Sequence, residues 1–233
     1  MPRQVLSAIP DDRAVTHIRT YFGQQVNGRP RYTGSRFETF GGGGDINEPN
    51  RVTAADLIAV SMLSVHVPAQ AAIGILENLE CEIESLLSQI PVETRIEDLR
   101  ATDFEVFFER DTPASALWRL LRQKEDSWGI GQTTASKILA RKRPHLIPIY
   151  DSVIAAQVQI SNSSAQWELW FEAFQNDAGG IFVNRLHTIR ETSGQVHLSI
   201  LRVLDIILWM EGKSKARFGH IQQPAQQPKL AGT

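Results

Sequence analysis

From Ala72 to Ile90 the apolar residues Ala72, Ile75, Leu76, Leu79, Ile83, Leu86, Leu87 and Ile90 return with the 3.6-residue period of an α-helix. No segment of the chain alternates apolar and polar residues over six or more positions. Helices with one apolar stripe bury it against other helices, so the pattern predicts an all-α fold without a large sheet. Pro68 suits the first turn of the 72–90 helix and Pro91 ends it.

Other helices follow from caps and stripes. Thr53 with Asp56 forms a capping-box start for a helix to about Val65. Further helices are expected over 14–22, 97–108, 113–126, 132–142, 152–160, 165–176, 180–192 and 196–211. In the 165–176 helix, Trp167, Trp170, Phe171 and Phe174 make one stripe at i, i+3, i+4, i+7. Residues 27–50, with glycines at 41 to 44, read as loop. The glycine run is not a phosphate-binding P-loop, since no Gly-Lys-Ser/Thr follows it. The tail from Gln222 has little apolar content and is expected to be disordered.

The length of 233 residues fits one large domain or two small lobes on a shared core. No apolar run approaches the ~20 residues of a membrane span. The start MPRQVLSAIPDDR has no apolar core of a signal peptide. The lone Cys81 excludes an internal disulfide, a cysteine zinc site and an iron–sulfur cluster. A cytoplasmic location is expected. The six histidines show no metal-binding spacing. The net charge of −2 means that any contact with nucleic acid has to be local. Two local basic clusters stand out: Lys137, Arg141, Lys142, Arg143 and His145, and Lys213, Lys215, Arg217 and His220.

Residues 113–142 read as helix, Trp-Gly-Ile-Gly, helix. Gly129 and Gly131 permit a tight backbone path, and Ile130 between them plugs the corner into the core. The second helix begins at Gln132, Thr133 and Thr134, so its free N–H groups form an anion site suited to a phosphate. Lys137 and Arg141 lie one and two turns further on. By itself such a corner is more readily an ordinary helix stop. The continuation through Pro144, Pro148 and Ile149 to Asp151 makes the stretch more specific. Asp151 also heads a helix, where Asp is a favoured N-cap.

GIGQTTASKILARKRPHLIPIYDSVI resembles the helix-hairpin-helix GPD superfamily of DNA glycosylases. Gly129, Ile130, Gly131, Thr134 and Ala135 match the family's hairpin, Pro148 and Ile149 its following loop, and Asp151 its catalytic aspartate. The resemblance covers about 27 residues. It implies a two-lobed helical fold with a cleft between the lobes. Residues 1–51 and 151–221 would form one lobe. Residues 52–150 would form a helical barrel containing the hairpin motif at about 113–142. Bifunctional members carry a lysine nucleophile where this chain has Thr133. The resemblance therefore implies a monofunctional enzyme that acts on double-stranded DNA as a monomer and leaves an abasic site. It also implies a monovalent cation at the hairpin and no other cofactor.

Base removal passes through a cationic, oxocarbenium-like sugar. A carboxylate beside C1′ stabilises that charge and can orient water. Asp151 is the candidate. The DNA-binding candidates are Gly129, Ile130, Gly131, Thr133, Thr134, Lys137 and Arg141. The base-pocket candidates are Tyr150, Trp128, Arg36 and Phe37, each of which has core packing or surface cover as its plain alternative. Trp118, Trp167, Trp170 and Trp209 read as core. Two other functions compete: a non-catalytic helix-hairpin-helix DNA-binding protein, and a helical interaction protein with no nucleic-acid role. The base removed is not legible, and oxidised, alkylated, deaminated and hypermodified bases all fit, in DNA repair or in phage defence.

Overall fold

The computed structural model describes residues 2–122, 128–161 and 163–221. The expected disordered tail and the end of the expected 113–126 helix lie outside the described residues. The fold is all-α. Among the described residues there is no strand, only an isolated bridge between Gln24 and Pro30. The helices are α1 (Pro2–Ser7), α2 (Asp11–Tyr21), α3 (Ala54–Ser61), α4 (Ala69–Ile73), α5 (Glu80–Ser88), α6 (Phe104–Phe107), α7 (Pro113–Arg122), α8 (Gln132–Lys142), α9 (Ser152–Val158), α10 (Gln166–Gln175), α11 (Ile181–Thr192) and α12 (Ile200–Ile221).

Local chemistry sets several of these boundaries. The Thr53 hydroxyl accepts from Asp56 N and the Asp56 carboxylate accepts from Thr53 N, the reciprocal capping box expected for α3. The helix expected across 72–90 is interrupted over Gly74–Asn78, where Leu79 N donates to Gly74 O five residues back. This π-type turn lies where the Trp128 ring presses on Gly74, and a Cβ there would stand 2.0 Å from Trp128 Cζ3. The helix expected over 97–108 is instead two 3₁₀ turns followed by the short α6. Leu99 and Arg100 are extended, and Asp103 accepts from Arg100 N to restart the helix.

The chain's first and last helices pack together, with α12 against α2, α9 and α11. The middle helices form a second set of contacts, α5 with α7, α7 with α8 and α8 with α3. The aromatic stripe of α10 meets Phe104 and Phe108 through Phe171 and Trp167.

Two helices are buried on every side. In α12 all residues from Leu201 to Leu208 are buried, and in α8 all residues from Thr134 to Lys142. Such helices need internal partners for their polar positions, because an unpaired buried charge costs several kcal/mol. These partnerships build the walls of the cleft described next.

Candidate active site

A cleft of about 340 Å³ opens between α8, α9, α12 and the loop segments around residues 32–34 and 62–65. Asp151, Lys137, Asp205, Arg202 and Lys213 supply its charged groups. Tyr21, Tyr32 and Trp209 supply an aromatic wall, and Thr133 also lines it.

The backbone around Asp151 is clamped on both sides. Tyr150 N donates to Ser136 Oγ on α8 (2.9 Å), and Gln166 Nε2 on α10 donates to Ile149 O (2.7 Å). Asp151 then caps α9, its Oδ1 accepting from Val153 N at 2.9 Å. The cap leaves Oδ2 directed to Lys137 Nζ, 3.6 Å away. Gly212 lets α9 lie close to α12, since a Cβ there would meet Val153 Cγ1 at 2.6 Å. That approach brings Asp151 to the same cleft as Asp205 and Trp209.

Lys137 is buried and donates to Leu63 O at 2.9 Å. Burial lowers its pKa, an effect that the nearby Asp151 and Asp205 carboxylates only partly oppose. Arg202 is a buried hub that donates to Glu38, Asp205, the Tyr21 hydroxyl and Gly34 O. Burial alone would lower its pKa, but Glu38, Tyr21 and Asp205 outweigh burial and hold it charged. Burial pushes the Asp205 carboxyl up to about 6, with Arg202 opposing the rise and Asp151 adding to it. The Tyr21 hydroxyl is pushed up to about 12, chiefly by burial. Three carboxylates, Asp151, Asp205 and Glu38, thus face two buried cations, Lys137 and Arg202.

The aromatic wall is ordered. Tyr21 and Tyr32 stack with ring centres 5.4 Å apart and planes 7° apart, and Trp209 stands edge-on to both. Lys213 lies over the Trp209 ring at 5.6 Å and is exposed at the rim.

At the other end of α8, Gly129 has φ +86°, the left-handed region that favours glycine, and Gly131 is the N-cap. Both glycines are exposed and Ile130 is buried. A Cβ on Gly131 would meet nothing within 4 Å, so there is open space beside the residue that heads α8. Thr133 faces the cleft and Thr134 is buried.

Several expected surface residues are internal. Arg141 is 2% exposed and donates to Asp56 and to the carbonyls of Phe37, Glu38 and Phe40. Lys142 pairs with Asp56 at 3.0 Å, and Arg143 donates to the carbonyls of Ile90, Pro49 and Leu87. Lys137 serves the cleft rather than an outer phosphate surface. Arg141, Lys142 and Arg143 are therefore internal struts that anchor the loop over residues 37–50.

The four residues expected in a base pocket are not among those lining the cleft. Tyr150 is core, 5% exposed. Trp128 packs on Gly74 and donates from Nε1 to Leu121 O at 2.8 Å. Phe37 is buried beneath the Arg141 and Arg202 guanidinium groups. Arg36 is exposed. The aromatic wall comes instead from Tyr21, Tyr32 and Trp209, of which Trp209 read as core by its helical spacing. Arg202 and Asp205 were likewise missed. Their signal was a charged i, i+3 pair inside an otherwise apolar helix, a pattern that demands an internal reason.

Among the described residues, no group of three or more His, Cys, Asp or Glu side chains is placed to hold a metal ion, and no helix is long and apolar enough to cross a membrane. No curated protein and no solved structure matches the chain. Residues 14–212, from α2 into α12 and including every cleft residue but Lys213, match a family of unknown function, DUF6308, and the chain belongs to that family.

Proposed function

We propose that this protein is a monofunctional DNA glycosylase. It takes one damaged or modified base out of duplex DNA, hydrolyses the N-glycosidic bond in the cleft and leaves an abasic site. The setting is DNA repair or phage defence, and the working form is a cytoplasmic monomer. The observation that carries the reading is the position of Asp151: a helix-capping carboxylate with one oxygen turned into a 340 Å³ cleft, beside the helix that the glycine hairpin starts.

As the bond to the base breaks, positive charge grows on the deoxyribose. The Asp151 oxygen that is free of the cap stabilises that charge and orients the attacking water. Val153 N holds the other oxygen, so the carboxylate needs little reorganisation. The faces of Tyr32 and Trp209 offer stacking surface to an extruded base. Thr133 has no amine to attack C1′, which favours hydrolysis over strand cleavage. The open N-terminus of α8 suits one DNA phosphate. Exposed Arg31, next to Tyr32, and Lys213 at the rim supply charge in place of the buried cations of α8.

A second reading is a DNA-binding protein without chemistry. The Lys137–Asp151 ion pair favours it, because the amine compensates the one carboxylate that the reaction needs. Mass spectrometry of bases freed from oligonucleotides with oxidised, alkylated, deaminated and hypermodified bases separates the two. Release by the wild type and not by Asp151→Asn supports the enzyme. A gel shift without release from any substrate supports the second reading, and no shift at low salt removes both.

A further inference from the structure

Asp205 lies in the cleft with Asp151, on a different helix, and has no part in the chemistry so far described. It is the sixth residue of α12, inside that helix's buried run and one turn before Trp209, and its side chain is only 10% exposed. The groups that face it are Arg202 on its own helix, Lys137 from α8 and Asp151 at the head of α9. Arg202 is also held by Glu38 and the Tyr21 hydroxyl, so its one positive charge is divided between two carboxylates. Lys137 in turn leans on Asp151. Among the buried groups, Asp205, Asp151 and Glu38 have two cations between them, Lys137 and Arg202, while the third cation of the cleft, Lys213, is exposed at the rim over Trp209. In a largely water-excluded place an excess of carboxylates is relieved by taking up a proton.

Asp205 lines the cleft and Glu38 does not, so of these two carboxylates only Asp205 can pass a proton to a ligand there. Asp151 accepts an N–H bond from Val153 on one oxygen and has the Lys137 ammonium 3.6 Å from the other, so both of its oxygens are already engaged. Two carboxylates in one cleft with environments that push them apart are an acid and a base.

We propose that Asp205 is the general acid of this cleft, protonating the departing base while ionised Asp151 serves the sugar. The inference rests on the glycosylase reading above. The C1′–N bond breaks and its electron pair stays with the base. The Asp205 proton moves to that base, leaving Asp205 ionised beside Arg202. Water adds to C1′ and gives its proton to Asp151. Exchange with solvent through the cleft mouth returns both groups to their starting forms, so the net change is addition of one water across the glycosidic bond.

The test compares wild type with Asp205→Asn, which keeps an acceptor for Arg202 and removes the titrating proton, on whichever base of the oligonucleotide panel the wild type releases. General acid catalysis contributes on the order of 10²–10⁴-fold, so Asp205→Asn is expected to lose at least about 100-fold in release rate and to retain DNA in a gel shift. The wild-type rate falls as pH rises past the ionisation of Asp205, and the variant loses that limb of the profile. An active wild type with Asp205→Asn within about threefold of it and an unchanged pH profile overturns the inference and leaves the glycosylase reading standing. A wild type that releases no base sinks both. A second measurement needs no variant activity: carbon-13 NMR of Asp-labelled, DNA-free protein follows each carboxyl through pH. Asp205 still protonated when Asp151 has ionised supports the assignment. Asp205 ionising first overturns it, even if the variant fails to fold.

Discussion

Lys137 Nζ lies 3.6 Å from Asp151 Oδ2, joining the middle of α8 to the head of α9 across the cleft. The pair fixes the direction of the carboxylate, and Asp151 is the largest influence keeping Lys137 charged against burial. Asp151→Asn keeps the N-cap acceptor for Val153 N, so α9 remains in place. It removes the counter-charge, so the Lys137 amine titrates at still lower pH. On the glycosylase reading, base release falls by about 100-fold or more, the scale on which preorganised electrostatic groups act. Circular dichroism and gel shift stay close to wild type. Unchanged base release removes Asp151 from the chemistry.

Thr133 lines the cleft one helical turn before Lys137. If the substrate's C1′ comes to rest against this face of α8, an amine at position 133 reaches it. Thr133→Lys is expected to convert base removal into base removal with strand cleavage, visible on a denaturing gel and trapped as a covalent adduct by borohydride. A variant that only removes bases, or loses activity without trapping, places C1′ elsewhere.

On the glycosylase reading, electrostatic contact with DNA falls to the exposed cations and not to the buried ones of α8. Each phosphate contact contributes about 0.9 to the slope of log affinity against log salt. Arg31→Gln with Lys213→Gln together is expected to lower the slope by about 2 with no loss of folding. Arg141→Gln leaves the slope unchanged and costs stability. Filter binding between low and moderate salt decides, and an equal slope for the double variant removes Arg31 and Lys213 from the DNA surface.

These contrasts mark what was legible in the sequence. Periods, caps and glycines act through neighbours within a few residues, so α3 with its capping box, α8 and the buried Ile130 were all readable. The fate of a cation depends on partners far along the chain. Arg141 meets Asp56 across 85 residues and the Phe37 carbonyl across 104. A 3.6-residue stripe identifies an apolar face but does not say whether the opposite face is wet. In α8 it is dry, and Lys137, Arg141 and Lys142 became internal. A usable hint was present: a glycine-rich loop presents carbonyls with few side chains to cover them, and buried guanidinium groups suit such carbonyls. Tyr21 and Trp209 were not legible as a cleft wall for a related reason, because with Tyr32 they come from three separate segments and meet only through packing.

Asp56 receives Arg141 Nε and Lys142 Nζ, each at 3.0 Å, and also closes the capping box of α3. It is 2% exposed. Asp56→Ala leaves two buried cations without their counter-charge, which costs on the order of 3–5 kcal/mol. Loss of the cap adds about 1 kcal/mol. Most domains have only about 5–15 kcal/mol in total, so the variant is expected to be barely folded at 25 °C. Urea unfolding measures the loss, and a change under about 1 kcal/mol would show that solvent reaches these cations after the substitution.

Burial raises the Asp205 carboxyl from 3.8 to about 6 in the native protein. Between about pH 4 and 6 the native state therefore binds more protons at this position than the unfolded chain does. Stability falls as pH rises wherever the native state binds more protons. The contribution of Asp205 is thus most favourable below pH 4, declines through the window from about 4 to 6, and is constant above it. A shift of this size corresponds to roughly 3 kcal/mol at most. Asp205→Asn cannot ionise and lacks this decline. The stability of the variant minus that of the wild type, from urea melts at pH 4, 5, 6 and 7, is therefore expected to increase up to about pH 6 and then level off. If the difference instead decreases with pH, Arg202 outweighs burial and Asp205 is ionised throughout, which would also withdraw the proton assigned to it in the cleft.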